Sequence, residues 1–224
     1  MSVIEILKGK IVVSSQAMPD EPLYEEICMN AMMASCINGG AAGLRVAGVR
    51  DVRNAKKFGV PVIGLTKPSK LPDNWREIVY ITPGLKEVNE LIDAGADIIA
   101  FDGTSRPHHR CSLEDIITTI HAAGRLAMAD ISTVEEGINC ANLGADIIST
   151  TLAGYTLESG APTKGPDYGL LAKLVKSIDK PVILEGRIWE PIEVKKAFEI
   201  GAHCVVIGSA ITRPQLITKR FIEG

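Results

Sequence analysis

Along the 224 residues, short runs of Val, Ile and Leu alternate with longer stretches in which apolar residues return every three or four positions. The short runs have the pattern of strands covered on both faces, and the longer stretches that of helices with one buried stripe. Eight apolar runs occur: Ile11 to Ser15, Ala42 to Val46, Pro61 to Lys67, Asp97 to Asp102, Leu126 to Ile131, Asp146 to Leu152, Pro181 to Gly186 and Cys204 to Ser209. Helical spacing follows them, as over Glu87 to Ala94, Leu113 to Ala123 and Val134 to Leu143. Eight strand–helix units in a chain of this length predict an α/β fold of the (β/α)8 TIM barrel type, built as a single domain over residues 1 to 224.

Repetition inside the chain supports the closed form. GAAGLRV starts at Gly40, GADIIAF at Gly95, GADIIST at Gly144 and GAHCVVI at Gly201, so the same helix-ending glycine feeds each even-numbered strand. The third and seventh strands also match, GVPVIGLTK against DKPVILEGR, with Pro61 and Pro181 at the strand start, where a missing N–H is tolerated. The alternative, an open doubly wound sheet, lacks its glycine-rich G-x-G-x-x-G opening turn here.

Composition narrows the partners. Aromatic residues make up only 4% of the chain against 46% hydrophobic overall, so the core must be aliphatic. A net charge of -3 without any Lys/Arg-rich run implies neither nucleic acid nor an anionic membrane surface, and leaves a small molecule as the expected ligand. The five cysteines are odd in number and lack a C-x-x-C pair, which argues against a disulfide framework or a zinc site and for a reducing, cytoplasmic setting. No signal-like start and no apolar run of membrane-spanning length is evident.

In a barrel of this kind chemistry sits at the C-terminal strand ends. Polar residues expected there are Gln16, Arg45, Lys67, Asp102, Thr104, Asp130, Thr150, Thr151, Glu185 and Ser209. Lys67 and Glu185 each end an otherwise apolar strand, where an unpaired charge is costly. Burial would lower the lysine pKa and raise that of the glutamate, giving two groups able to exchange protons near neutrality; the alternatives are a Lys–Glu ion pair at the rim or a solvated lysine. Arg45 and Asp130 can pair with each other or orient a polyhydroxylated substrate. After strands seven and eight, Gly186-Arg187 and Gly208-Ser209 form a candidate phosphate cradle, with Arg213 just beyond. His108-His109 reads as a solvated lid rather than a metal pair, no metal is expected, and Met29, Met32 and Met33 on the first helix read as core filling.

Taken together, IVVSSQAMPDEPL, the lysine of VIGLTK, YITP, GADIIAFDGTSRP, LAMADIST-x-EE, TTLAGYT, ILEGRI and VIGSAITRP resemble the N-acetylmannosamine-6-phosphate 2-epimerases, in register from Ile11 to Phe221. The resemblance implies interconversion of N-acetylmannosamine 6-phosphate and N-acetylglucosamine 6-phosphate, in sialic acid and amino sugar catabolism, without a cofactor. It implies Lys67 and Glu185 as catalytic residues and Gln16, Arg45, Asp130, Thr151 and Tyr155 as substrate contacts. Phosphate contacts fall on Gly186, Arg187, Gly208, Ser209 and Arg213. It also implies a homodimer that exchanges its final helix, over Arg213 to Glu223. Two departures stand out: Ser15 replaces the cysteine common in relatives, and Lys67 is followed by Pro68-Ser69-Lys70 rather than Arg and Asp. Rival functions on the same barrel are a Schiff-base sugar-phosphate aldolase using Lys67 and a non-catalytic sugar-phosphate sensor.

Overall fold

A computed structural model describes residues 1–224. Its strands are β1 (Ile11–Ser15), β2 (Gly43–Ala47), β3 (Val62–Leu65), β4 (Ile98–Asp102), β5 (Leu126–Asp130), β6 (Ile147–Ser149), β7 (Val182–Glu185) and β8 (Cys204–Ile207). All neighbours are parallel, and β8 pairs with β1, so the sheet closes in sequence order as the sequence pattern predicts. Helices α2 (Glu26–Asn38), α3 (Val49–Lys56), α4 (Leu85–Ala94), α5 (Leu113–Ala122), α6 (Val134–Asn142), α7 (Tyr168–Ser177) and α8 (Pro191–Ile200) follow the first seven strands in turn. After β8 come a single turn, α9 (Ser209–Thr212), and α10 (Pro214–Glu223).

One helix lies outside the expected units. The chain opens with α1 (Val3–Leu7), so the methionine-bearing α2 is the second helix rather than the first. Five residues are too few for a periodic signal to stand out. Its Leu7 is 1% exposed and joins the cluster inside the barrel, while the Gly9 N–H donates to the His203 carbonyl oxygen at 2.8 Å, so the segment plugs the N-terminal end.

Strand periodicity sorts the core into two shells. Val12, Ile63, Leu65, Ile98, Ala100, Met128, Ile147, Ile183 and Val206 point into the barrel. Val13, Leu44, Val46, Ile99, Phe101, Ala129, Ile148, Leu184 and Val205 point outward against the helices. Continuing the inner phase by twos reaches Ser14, Asp102, Asp130 and Glu185 at the C-terminal ends, and Lys67 and Thr151 just past them. Arg45, between the outward Leu44 and Val46, also faces in. The four repeat glycines have φ of 95° (Gly40), 93° (Gly95), 104° (Gly144) and 113° (Gly201), the left-handed conformation that ends a helix and turns the chain into a strand.

Two strands stop earlier than their apolar runs suggest. β3 ends at Leu65 because the YITP segment wedges beside it. The Thr66 N–H donates to Thr82 Oγ1 at 3.1 Å, the Thr82 N–H donates back to the Thr66 carbonyl at 3.1 Å, and the Asp102 N–H donates to the Ile81 carbonyl at 3.1 Å. Lys67 therefore starts a loop instead of ending a strand. β6 ends at Ser149 because the Thr150 hydroxyl takes over the ladder, donating to the Glu185 carbonyl and accepting from the Glu185 N–H, both at 3.1 Å. β1 fills its expected run, β2 is displaced by one residue, and β4, β5, β7 and β8 are trimmed by one or two residues at one or both ends.

Candidate active site

The inner-facing residues at the C-terminal ends surround a cavity of about 550 Å³. At its base lies a charge cluster. Arg45 on β2 is fully buried and grips Asp130 on β5 with two hydrogen bonds, Nη1 to Oδ1 at 3.0 Å and Nη2 to Oδ2 at 2.6 Å. Arg45 Nη1 also lies 3.1 Å from Oε2 of Glu185 on β7. Thr151 Oγ1 bridges the two acids, 2.8 Å from Asp130 Oδ1 and 3.0 Å from Glu185 Oε2. Burial opposes the guanidinium charge, but Asp130 and Glu185 outweigh it and raise the Arg45 pKa. Asp130 and Arg45 are both 0% exposed, and Glu185 and Thr151, which they contact, line the cavity.

Glu185 behaves differently from an exposed carboxylate. Burial pushes its pKa upward, Asp130 adds to this, and Arg45, Lys67 and the Thr151 hydroxyl partly offset it. Its Oε2 is fixed by Arg45 and Thr151, and the rim ion pair with Lys67 weighed from the sequence does not form. Lys67 lies on the β3–α4 loop and opens to solvent through the cavity. Protein atoms crowd its ammonium all the same, and this crowding, helped by Arg45 and Arg213, lowers its pKa to about 8 against the attraction of Glu185 and Asp130. In a ring of eight strands β3 and β7 stand opposite each other, so the amine and the carboxyl approach the cavity from opposing sides.

The β7, β8 and β1 ends form a different corner. Gly186 has φ 112° and Arg187 has φ 57°, the latter a strained value for a residue with a Cβ. The N–H groups of Gly186, Arg187 and Gly208 find no acceptor within the protein. Gly208 opens α9, with Ser209 beside it on the cavity wall. The Arg187 guanidinium, however, donates to the carbonyls of Gly165 and Ala153 and to Thr163, bracing the β6–α7 loop. Arg213 lines the same corner, held 3.2 Å from Glu21 and 3.3 Å from the Gln16 carbonyl. Gln16 donates to Ser14 Oγ at 2.8 Å and leaves its buried Oε1 without a partner.

Tyr155 lines the opposite wall with Trp75, and sequence reasoning missed what surrounds them. Asp102 and Asp130 are side-by-side strand partners, and each is neutralised by its own arginine. For Asp102 this is Arg106, 2% exposed, which also donates to the Trp75 carbonyl at 3.1 Å and lies over the Tyr80 ring. The arginine four residues beyond a strand-ending aspartate was the available signal. His108 contacts the Thr104 carbonyl at 3.1 Å through Nε2, away from the cavity lining.

Residues 29–224 match the family described as "Putative N-acetylmannosamine-6-phosphate epimerase" (NanE). The chain belongs to this family. Similar members of the NanE family include proteins named as putative N-acetylmannosamine-6-phosphate 2-epimerases from Clostridium perfringens, 46% identical over 98% of both chains, and from Clostridioides difficile, 43% identical over 99% of this chain and 98% of the relative. The solved structure of the N-acetylmannosamine-6-phosphate 2-epimerase from C. perfringens superposes with a TM-score of 0.93 at 45% identity, over 100% of this chain and 96% of that one. A thiamine phosphate pyrophosphorylase from Pyrococcus furiosus, at 15% identity and a TM-score of 0.62, shares the NanE barrel alone.

The amine's lowered pKa has a consequence for stability. A lysine in the unfolded chain ionises near 10.5, Lys67 in the folded protein near 8, so between those values the unfolded state binds more protons. The stability of the wild type relative to Lys67→Met, from urea titrations across this window, is expected to be lowest below about pH 8 and to rise toward 10.5. A flat or falling difference would contradict the placement of the ammonium.

Proposed function

We propose that the chain interconverts N-acetylmannosamine 6-phosphate and N-acetylglucosamine 6-phosphate by epimerisation at C2, in sialic acid and amino sugar catabolism. The observation that carries the reading is the amine of Lys67 facing the carboxyl of Glu185 across a cavity bordered by unpaired backbone N–H groups. In the open-chain sugar, the C1 aldehyde acidifies the C2 proton. The neutral Lys67 amine removes it, leaving an enolate, and the Glu185 carboxyl, whose raised pKa favours its protonated form, returns a proton to the opposite face. C2 thus loses one proton and gains one; Lys67 then passes its proton through solvent to Glu185, and the reverse reaction exchanges the roles. Glu185 also assists ring opening.

The phosphate is assigned to the N–H groups of Gly186, Arg187, Gly208 and Ser209, with the charge of Arg213. Arg187 contributes chiefly its backbone, since its side chain holds the neighbouring loop. Gln16, Thr151 and Tyr155 are substrate contacts, while Arg45 and Asp130 act on the sugar through the Glu185 and Thr151 they hold. A Schiff-base aldolase would also use a lysine of lowered pKa, but family membership favours the epimerase, and borohydride trapping of a Lys67 adduct would reverse that preference.

No helix of the chain is long and apolar enough to cross a membrane, and a cytoplasmic location accords with five cysteines that are all free thiols. The residues 1–224 are read as one barrel domain. A homodimer with exchanged α10 accords with the absence of any buried residue on that helix and with the exposure of Phe221 (84%) and Ile222 (79%). Sedimentation is expected to give a dimer that Phe221→Glu weakens; a monomeric wild type would contradict it.

In heavy water, NMR of N-acetylmannosamine 6-phosphate is expected to show deuterium entering C2. Lys67→Ala and Glu185→Ala should each lower kcat by about 10²-fold or more while remaining folded. Because the amine must be neutral to accept a proton, kcat in the direction it serves as base should rise with pH toward about 8. Full activity in either variant, or cleavage of a carbon–carbon bond, would overturn the reading.

A further inference from the structure

The chain contains 2 tryptophans and 4 tyrosines, and three of these six side chains meet on one wall of the cavity. Trp75 lies 6.4 Å from Tyr80 in an edge-on arrangement and 6.1 Å from Tyr155, ring centre to ring centre. Leu71, on the same loop, extends the apolar surface. The wall is anchored from two sides. Arg106 Nη1 donates to the Trp75 carbonyl at 3.1 Å, and Arg76 Nη2 donates to the carbonyls of Thr156 and Gly160 at 2.8 and 2.9 Å, tying the β3–α4 loop to the β6–α7 loop. Burial raises the Tyr80 pKa to about 12, so the phenol stays neutral.

We propose that Trp75, flanked by Tyr155 and Leu71, forms the pocket for the N-acyl group of the substrate and limits the length of acyl chain the enzyme accepts. This rests on the epimerase reading. In the reactive open-chain form, C1 is an aldehyde, C3 to C5 carry hydroxyls and C6 carries the phosphate ester, so the acyl methyl is the one methyl the ligand offers to an aromatic wall. Its position follows from the chemistry. The phosphate lies at the β7–β8 corner, and C2, which bears the acylamino group, is four carbon–carbon bonds away from C6 and must lie within reach of Lys67. The β3–α4 loop that supplies Lys67 supplies Leu71 and Trp75 as well, so a substituent on C2 is delivered to that wall.

The test compares N-acetyl and N-butanoyl mannosamine 6-phosphate in wild type, Trp75→Ala and Trp75→Leu, following C2 deuteration in heavy water. A pocket wall discriminates methylenes by about tenfold or more. The wild type should therefore favour the N-acetyl substrate by at least that factor in kcat/KM. Trp75→Ala should raise the N-acetyl KM about tenfold, leave kcat within a few-fold, and erase or invert the chain-length preference; Trp75→Leu, the safer fold, should shift it in the same direction. A merely structural role would weaken both substrates equally, and an unchanged preference in both variants would overturn the proposal while leaving the epimerase intact. A wild type that exchanges C2 of neither substrate would sink the underlying reading and this inference with it.

Discussion

A buried guanidinium allows the rest of the site to exist. The barrel brings Asp130 and Glu185 to the same end of its interior, and two carboxylates so close would repel one another and drive protonation of one or both. Arg45 lies between them, bidentate to one and 3.1 Å from the other, and Thr151 bridges their remaining gap. Taking one partner out of such a buried set costs about 3–5 kcal/mol, a large share of the roughly 5–15 kcal/mol by which a domain is stable. The cluster is thus part of the fold as much as of the site. Its chemical product is a Glu185 with one oxygen fixed in the mouth, its proton affinity raised by burial and by Asp130 and held in check by Arg45 and Thr151.

Lys67 contrasts with it. Glu185 belongs to a strand and is held by two side chains, whereas Lys67 begins a loop and has no ion-pair partner. Its amine is tuned by crowding and by the nearby positive charges of Arg45 and Arg213. Placing one group rigidly and one on an anchored loop, across the ring from each other, suits a reaction in which a proton leaves one face of a carbon and returns to the other. A parallel arrangement secures the loop itself: the Asp102–Arg106 pair repeats the Asp130–Arg45 arrangement one strand away, but its arginine reaches outward to the Trp75 carbonyl.

The sequence made the barrel legible because two periodicities coincide in it. Doubly covered strands read as apolar runs, and glycines at Gly40, Gly95, Gly144 and Gly201 mark where helices hand over to them. Arg45, Asp130 and Glu185 were legible as charged residues within or ending apolar strands, at the end of the barrel where chemistry is expected. What stayed hidden depends on contacts between distant segments. The wedge of Thr82 against Thr66 shortens β3, and the hydroxyl of Thr150 substitutes for a strand residue, neither of which has a local pattern. Arg106 adjoins His108-His109, which read as a solvated lid, yet it is almost wholly enclosed, and spacing alone did not show that Arg45 is fully buried.

Titration of a carbon-13 label in the Glu185 carboxyl, in the wild type and in Arg45→Gln, tests the central claim most directly. With the guanidinium in place the carboxyl should ionise above the ordinary range for glutamate, and removing that charge should raise its pKa further, because Asp130 would then be unopposed. A Glu185 that titrates like an exposed side chain, or one indifferent to the loss of Arg45, would contradict the account.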